Sequence, residues 1–266
     1  MVGAEVKGVR VGDRVVLSFD YCGGAEGCRA CDSSVKGMGM PGYCKEFHAR
    51  NIFGVEGVYQ VVVDDDVDDG EEGSKAAAGL FFGQSSFSQF AVVKGRSAVN
   101  VQAVVQSEEE LKLFAPMGCG YQTGAASVTE VADVREGDSV AIFGLGGVGM
   151  AAVMAAKIRG AKTIIGVDKI QSRLDLAKDL GATHVLDTSN FPSLTSDLTA
   201  AIREIAPSGT NATFDTTGVI PLIEVGVRAL HANGQMILIG TVNGSMMLDL
   251  GMLLNVREVS LRSNIE

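Results

Sequence analysis

One short segment constrains the fold of this chain more than any other. Residues 139–143 (Ser-Val-Ala-Ile-Phe) form an apolar run that leads into Gly-Leu-Gly-Gly-Val-Gly at 144–149, and an alanine-rich stretch follows. The run predicts a buried strand and the glycines predict a tight turn, while Val148, Ala152 and Ala156 are spaced as the apolar face of a helix. A strand, a glycine turn and a helix in this order indicate parallel α/β structure.

The glycines of the turn have the G-x-G-x-x-G spacing that binds dinucleotides. Gly144 permits the turn, Gly146 lets the backbone approach a pyrophosphate, and Gly149 lets the helix pack close to the sheet. The phosphates would lie at the positive end of the helix dipole, where N–H groups lack helical partners. We therefore predict that Gly144 and the run Gly146, Gly147, Val148 and Gly149 bind the cofactor.

A second apolar run, Thr163–Val167, ends at Asp168, about 20 residues after the glycines. A carboxylate at this place can hold the hydroxyls of an adenosine ribose, and it would repel a 2′-phosphate. The sequence therefore favours NAD; Lys169 and Arg173 could offset the charge, which leaves NADP as the lesser alternative. An ordinary βαβ unit that binds nothing is the other interpretation, and the combination of turn, helix, strand and acid argues against it.

Alternating strands and helices continue beyond Asp168, which predicts a doubly wound parallel sheet with right-handed crossovers. Ligands bind beyond the carboxyl ends of such strands, and that edge includes Thr216 and the segment Ile239–Thr241. The predicted helices are Ser172–Leu180, Leu194–Ala206 and Pro221–Leu230. The predicted strands are His184–Leu186, Ala212–Asp215, Gly234–Gly240 and Val259–Arg262.

Four cysteines lie close together in the first part of the chain, at Cys22, Cys28, Cys31 and Cys44. This region is rich in glycine and charge and poor in large apolar side chains, so a metal would have to hold it together. Four thiolates suit a structural zinc ion, and free thiols or a redox pair are the alternatives. We define residues 22–44 as the cysteine lobe.

Composition narrows the class of protein further. The chain has 266 residues and a net charge of −10, which disfavours nucleic acid and anionic membranes as partners. It has no apolar run of transmembrane length and no signal-peptide pattern, so we expect it in the cytoplasm. Three glycines surround Cys119 in Gly118–Gly124, which predicts that a thiol and backbone approach another group closely. From Ala125 to about Ala132 the pattern predicts a helix. Residues 81–93 predict a loop and then a strand.

These residues together resemble the zinc-dependent alcohol dehydrogenases of the medium-chain dehydrogenase/reductase superfamily, and most closely the aryl-alcohol (benzyl-alcohol) branch. The resemblance covers nearly the whole chain. It rests on Val11–Phe19, Tyr43–Phe47 with Asn51–Gly54, Phe82–Phe87, Gly118–Gly124, the glycine turn and Leu180–Val185.

The resemblance implies a role for individual residues. The four lobe cysteines match the ligands of a structural zinc, although their gaps of five, two and twelve residues are longer than the family's two, two and seven. Cys119 matches a ligand of the catalytic zinc and would be the catalytic residue. The residues that match cofactor contacts are Thr123, Asp168, Arg173, Ile239, Gly240 and Thr241.

The resemblance implies a partial GroES-like, β-rich catalytic domain over residues 1–122 and a Rossmann domain over 123–266. The family's other catalytic-zinc ligands belong to a portion that precedes the position matched by Met1, and the portion that completes the family's catalytic domain follows the position matched by Glu266. We therefore expect a chain shortened at both ends. The implied activity is NAD- and zinc-dependent interconversion of a primary alcohol, aryl or allylic, and its aldehyde. A non-catalytic NAD(H)-binding remnant and a zinc-free quinone reductase-like enzyme are the alternatives. A homodimer or homotetramer is a hypothesis from the resemblance and from the apolar segment Met246–Leu254.

Overall fold

The computed structural model of the chain describes residues 1–24, 27–32, 41–52, 55–61, 75–79, 81–84, 89–247 and 259–264. The chain forms two compact units, Met1–Gly118 and Cys119–Glu266. The predicted domain boundary, between residues 122 and 123, lies four residues further along. Most of the apolar segment 246–254 falls outside the described residues. Within the described residues no helix has the length and apolarity that crossing a bilayer requires.

The second unit is built on a six-stranded sheet in which every pair of neighbouring strands is parallel. Its strands are β5 (Ser139–Phe143), β6 (Thr163–Asp168), β7 (His184–Asp187), β8 (Thr210–Asp215), β9 (Leu230–Leu238) and β10 (Ser260–Ser263). Its helices are α3 (Gly120–Ala126), α4 (Gly147–Ile158), α5 (Gln171–Leu180), α6 (Thr199–Ile205) and α7 (Ile220–Ala229). The strand order is β10-β9-β8-β5-β6-β7, which is the Rossmann order and confirms the predicted fold class.

Two apolar layers cover the faces of this sheet. Alternate residues of β5 divide between them, with Val140 and Ile142 in one layer and Ala141 and Phe143 in the other. All four side chains are fully buried. A strand buried on both faces reads as a continuous apolar run, which is why residues 140–143 could be identified from the sequence.

The sequence placed the start of α3 incorrectly. Helical structure was predicted from Ala125, whereas α3 begins at Gly120 and continues as a π-helix over Ser127–Val131. The glycines at 120 and 124 disfavour a helix, but a Cβ at Gly124 would lie 2.0 Å from the carbonyl oxygen of Val148. Gly124 therefore permits α3 to pack directly against α4, and this contact outweighs the low helix propensity. The predicted helix Leu194–Ala206 likewise begins as a π-helix, Leu194–Leu198, before α6.

The first unit contains two small antiparallel sheets in its described part. Its strands are β1 (Val15–Leu17), β2 (Val55–Val61), β3 (Lys75–Gly79) and β4 (Ala98–Asn100), and its helices are α1 (Phe47–Asn51) and α2 (Glu108–Phe114). β1 pairs with β4, and β2 pairs with β3. The strand predicted to end at Val93 is wrong, because residues 89–94 form no strand and Phe90 and Val92 are exposed. The assignment of this unit to a partial GroES-like domain stays a prediction.

Candidate functional site

A cavity of about 510 Å³ opens at the carboxyl ends of β5, β6 and β8 in the second unit. The chain runs from β5 outward to β6 and β7, and then returns to place β8 on the other side of β5. The loops after β5 and β8 therefore diverge at this point of the sheet, which is where open α/β sheets bind their ligands. The volume lies in the range of small-molecule and cofactor sites.

The glycine turn between β5 and α4 forms one wall of the cavity. Gly144 has a φ of +85°, and a Cβ there would lie 2.5 Å from the hydroxyl oxygen of Thr216. A Cβ at Gly149 would lie 1.9 Å from the carbonyl oxygen of Gly144, so only glycine fits where α4 crosses the end of β5. A Cβ at Gly146 would meet no atom within 4 Å, which leaves open space over the turn.

The start of α4 offers an anion site within this wall. Gly146 is the N-cap and has no side chain to accept a hydrogen bond from the first turn, and Gly147 and Val148 also line the cavity. The first-turn N–H groups and the positive end of the helix dipole are thus left for an anionic ligand. Lys169 and Arg173 line the same cavity and bring positive charge to it.

Asp168 lies at the end of β6 with its side chain only 7% exposed. Its Oδ1 accepts hydrogen bonds from the backbone N–H groups of Lys169 (2.7 Å) and Ile170 (3.0 Å). Its Oδ2 accepts one from the N–H of Leu145 (2.7 Å) and lies 3.7 Å from Nη1 of Arg173. The carboxylate therefore fixes the glycine turn to β6. Its Oδ2 accepts only one of these backbone hydrogen bonds, so it can accept another from a ligand in the cavity.

The loop after β8 forms the opposite wall, and Asp215 holds it in place. The Asp215 side chain is fully buried. Its Oδ1 accepts hydrogen bonds from the N–H (3.1 Å) and the hydroxyl (2.6 Å) of Thr217. Its Oδ2 accepts a hydrogen bond from the N–H of Gly218 (2.9 Å). The Thr216 hydroxyl lies 2.9 Å from the carbonyl oxygen of Phe143 and 3.0 Å from that of Gly144, which ties this loop to the glycine turn. This role of Asp215 was not predicted from the sequence, although an acid before Thr-Thr-Gly is a turn signal.

We expect Asp215→Ala to lower the free energy of unfolding by about 3 kcal/mol, because it removes a buried carboxylate that accepts three part-buried hydrogen bonds. Urea unfolding of the purified chain measures this change. Asp187→Ala is the matched control, since Asp187 also ends a strand and caps the next turn, but its bonds to Ser189 are exposed. Equal stability losses in the two variants would contradict the role assigned to Asp215.

The structure brings together six of the residues predicted to bind the cofactor. The cavity is lined by Gly144, Gly146, Gly147, Val148, Asp168 and Arg173. It is not lined by the other predicted residues, Thr123, Gly149, Ile239, Gly240 and Thr241. Gly149 lies behind the wall as a packing residue, and a Cβ at Gly240 would lie 2.4 Å from the nitrogen of Gly218, behind the opposite wall. The lining residues that sequence analysis missed are Thr188, Leu194, Thr217, Val219 and Leu222.

The four cysteines of the lobe come together in the first unit. The sulfur atoms of Cys22, Cys28, Cys31 and Cys44 all lie within 4.8 Å of one another. Four thiolates bound tetrahedrally to one zinc ion lie about 3.8 Å apart, so this cluster fits the ion with small adjustments. Tyr21, Ala30 and Phe47 pack against it.

Hydrogen bonds and burial act differently on the individual thiols. The pKa of Cys28 is lowered to about 6, because the backbone N–H of Lys45 donates to its sulfur. Burial raises the pKa of Cys31 to about 12, and the neighbouring thiols act in the same direction. N–H donors aimed at a sulfur stabilise the thiolate, which is the form that binds a metal.

Cys119 is not a member of this cluster. It is exposed, it immediately precedes α3, and its carbonyl oxygen accepts a hydrogen bond from the N–H of Thr123 (2.8 Å). Throughout the described part of the chain, the four lobe cysteines are the one group of three or more side chains placed to hold a metal. The described residues thus fit a structural zinc, and they do not assemble a catalytic zinc site around Cys119.

Comparison with known proteins identifies the family. The sequence profile described as zinc-binding dehydrogenase matches residues 147–265. A probable alcohol dehydrogenase of a Pseudomonas species is 33% identical over 240 residues, which cover 90% of this chain and 69% of that protein. A geraniol dehydrogenase of Castellaniella defragrans is 35% identical over 239 residues, which cover 90% of this chain and 58% of that protein.

Two crystal structures have the same fold with a TM-score of 0.78. One is an alcohol dehydrogenase zinc-binding domain protein of Burkholderia ambifaria, at 37% identity over 100% of this chain and 66% of that one. The other is the benzyl alcohol dehydrogenase of Acinetobacter calcoaceticus, at 34% identity over 99% and 65%. The chain spans between 58% and 69% of the length of the two relatives above. It belongs to the zinc-type alcohol dehydrogenases of the medium-chain dehydrogenase/reductase superfamily.

Proposed function

We propose that this chain binds NAD(H) in the cavity of its second unit and serves the interconversion of a primary alcohol and its aldehyde. The observation that carries the proposal is the meeting of Asp168, the glycine turn and two cations around one cavity at the divergence of the strands. When bound, a nicotinamide dinucleotide supplies the hydride acceptor for alcohol oxidation. The family relatives support the reaction class.

We assign roles within the cavity from charge and hydrogen bonding. The N–H groups at the start of α4 bind the pyrophosphate, and Lys169 and Arg173 offset its charge. The Oδ2 atom of Asp168 accepts from a ribose hydroxyl, while its bonds to Leu145, Lys169 and Ile170 keep the carboxylate in place. Thr188, Leu194 and Leu222 supply the apolar and hydroxyl surface for the rest of the adenosine.

The nature of the alcohol and of the metal sites is also proposed. Two of the relatives are named as dehydrogenases of benzyl alcohol and of geraniol, which are an aryl and an allylic primary alcohol. Their names support an aryl or allylic substrate. The four lobe cysteines would hold a structural zinc. Cys119 remains our proposed ligand of a catalytic zinc on the basis of family resemblance alone, and a homodimer or homotetramer rests on the same ground.

We expect the wild-type chain to bind NADH at least about 10-fold more tightly than NADPH, because a 2′-phosphate would face the Asp168 carboxylate. Asp168→Asn should weaken NADH binding and bring the two dissociation constants close together. Fluorescence titration with each cofactor measures both effects. The control is Asp187→Asn, which changes the same group at the end of the neighbouring strand, outside the cavity. Equal or tighter binding of NADPH by the wild type would contradict the proposed preference.

The reaction is tested by NADH formation from benzyl alcohol and from geraniol with zinc present. Production of NADH that requires the alcohol supports the proposed activity. Tight NADH binding without turnover would instead support the non-catalytic NAD(H)-binding role. Oxidation of the reduced cofactor by a quinone in zinc-free protein would support the quinone reductase-like alternative.

A further inference from the structure

The two chain segments that flank the cysteine lobe are joined to each other at its base. Asp20 comes two residues before Cys22, and Asn51 lies seven residues after Cys44. The fully buried side chain of Asn51 accepts from the N–H of Asp20 (2.8 Å) and donates to the carbonyl oxygens of Asp20 (2.8 Å) and Phe47 (2.9 Å). The Asn51 side chain thus bonds both the backbone N–H and the backbone carbonyl of Asp20, as the backbone of a neighbouring β-strand would.

Two side-chain contacts reinforce this junction. The rings of Phe19 and Phe47 meet edge to face with 5.4 Å between their centroids. The Asp20 carboxylate, only 2% exposed, lies 3.3 Å from Nη1 of Arg50 in α1. We name the set of Phe19, Asp20, Phe47, Arg50 and Asn51 the lobe base.

A third segment is attached to the lobe base through Asp20. Lys94 forms an ion pair with the same carboxylate, and Nε of Arg96 lies 3.9 Å from its Oδ1. Arg96 also donates to the carbonyl oxygen of Tyr21 (3.0 Å), the residue directly before Cys22. Three cations from two other segments therefore surround one buried carboxylate, and they fix the backbone that leads into the lobe.

The contacts that Phe19, Asp20, Phe47, Arg50 and Asn51 make with one another involve no cysteine sulfur, so none of them is made through a metal ligand. Bringing together two segments 31 residues apart has an entropic cost, which a metal would otherwise have to offset when it binds. Contacts that close the loop in advance remove this cost from the binding step. The lobe base is therefore placed to raise the affinity of the cluster for its metal.

We propose that Asn51 and Asp20 are positioning residues that pre-organise the four thiolates of the lobe for zinc. This inference rests on the structural zinc proposed above and extends it from the ligands to the residues that hold them. Partners outside the ligand shell typically change metal affinity 10- to 100-fold when they are removed.

The test is the zinc affinity of Asn51→Ala in the full chain, measured by competition with a chromogenic chelator. We expect binding to weaken about 10- to 100-fold, with a broadened cobalt(II) visible spectrum that reports a less regular tetrathiolate site. Asn100→Ala is the matched control. The Asn100 amide also makes three hydrogen bonds in the same unit, with Gly8, Asp13 and Gln102, but these bonds are exposed and involve no residue of the lobe base. The Asn100→Ala variant should bind zinc with the affinity of the wild type.

A second pair of variants covers the case in which Asn51→Ala does not fold. Arg50 and Arg228 both pair with a glutamate four residues earlier, but only Arg50 also reaches Asp20. We expect Arg50→Gln to weaken zinc binding about 3-fold and Arg228→Gln to leave it unchanged.

Several outcomes would overturn the inference. Wild-type zinc affinity in folded Asn51→Ala would do so, as would equal losses in Asn51→Ala and Asn100→Ala or in Arg50→Gln and Arg228→Gln. These results would leave the zinc site itself intact. Absence of zinc from the wild-type chain would overturn the zinc assignment, and the pre-organisation with it.

Discussion

Gly149→Ala is expected to lower the free energy of unfolding by about 3 kcal/mol and to weaken NADH binding at least about 100-fold. The added Cβ would lie 1.9 Å from the carbonyl oxygen of Gly144 and 3.0 Å from its carbonyl carbon. Both are backbone atoms, so no side-chain rotation can relieve the overlap. α4 must move away from β5, and its first-turn N–H groups move with it.

Gly146→Ala is the matched control for this prediction. The new methyl group meets no protein atom within 4 Å, and the φ of −79° suits alanine, so the change in stability should stay below about 1 kcal/mol. The methyl group would, however, occupy the space over the turn and weaken NADH binding about 10-fold. Urea unfolding and NADH fluorescence separate the two effects. Wild-type stability in Gly149→Ala would contradict the packing role of Gly149. Wild-type NADH affinity in Gly146→Ala would contradict the proposal that the cofactor occupies the space over Gly146.

Cys28→Ser is expected to remove the lobe zinc. The free energy of unfolding should then fall by at least about 4 kcal/mol relative to the zinc-bound wild type. Cys28 is buried within the cluster, and its sulfur receives N–H donation that favours the thiolate. Serine does not provide a thiolate, and its neutral hydroxyl is a poor zinc ligand. Zinc per chain by elemental analysis, and thermal unfolding with and without a chelator, measure the loss.

Cys119→Ser serves as the comparison, because Cys119 is exposed and lies outside the cluster. The lobe zinc should persist in this variant, and any second zinc in the wild type should be lost if Cys119 is a catalytic ligand. Retention of full zinc content and chelator sensitivity by Cys28→Ser would show that the cysteine cluster does not hold the metal.

The second unit was largely predictable because its signals are local. Residues 140–143 are buried on both faces and therefore uniformly apolar, and the glycine turn follows at once. The strand β6 likewise ends at Asp168 as predicted. In each case neighbouring residues in the sequence determine the structure, so pattern and propensity agree.

Glycines were harder to interpret, because a glycine can serve a ligand or a neighbouring helix. The glycines around Cys119 suggested close approach to another group, and the structure shows that at Gly124 this group is the α4 backbone. Gly149 was predicted to bind the cofactor and also to let the helix pack close to the sheet, and its packing role is confirmed. Gly240 was predicted to contact the cofactor, and it packs behind the opposite wall of the cavity. A glycine in the sequence indicates that a side chain would not fit at that position. It does not indicate which atom lies there, because that atom belongs to a distant segment of the chain.

Contacts between distant residues were missed for the same reason. Thr188 begins a 3-10 turn and Leu194 begins a π-helix in the connection between β7 and α6, and no pattern in the sequence around them indicates that they line the cavity. The hydrogen bonds between Asn51 and Asp20 join residues 31 positions apart. The strand predicted to end at Val93 is an error of a different kind, since a local apolar pattern favoured a strand where residues 89–94 form none, and the strand lies at Ala98–Asn100 instead.

The bonding of Asp168 has a consequence for how this protein can evolve. Its carboxylate accepts three backbone hydrogen bonds and also lines the cavity in which we propose that the cofactor binds, so on that proposal one side chain serves both folding and cofactor choice. A replacement that removes the charge also leaves N–H donors unsatisfied, such as that of Leu145. A lineage that shifts toward a phosphorylated cofactor would therefore need a second, compensating substitution to restore the turn. Cofactor preference should change slowly in such a protein, and in pairs of mutations.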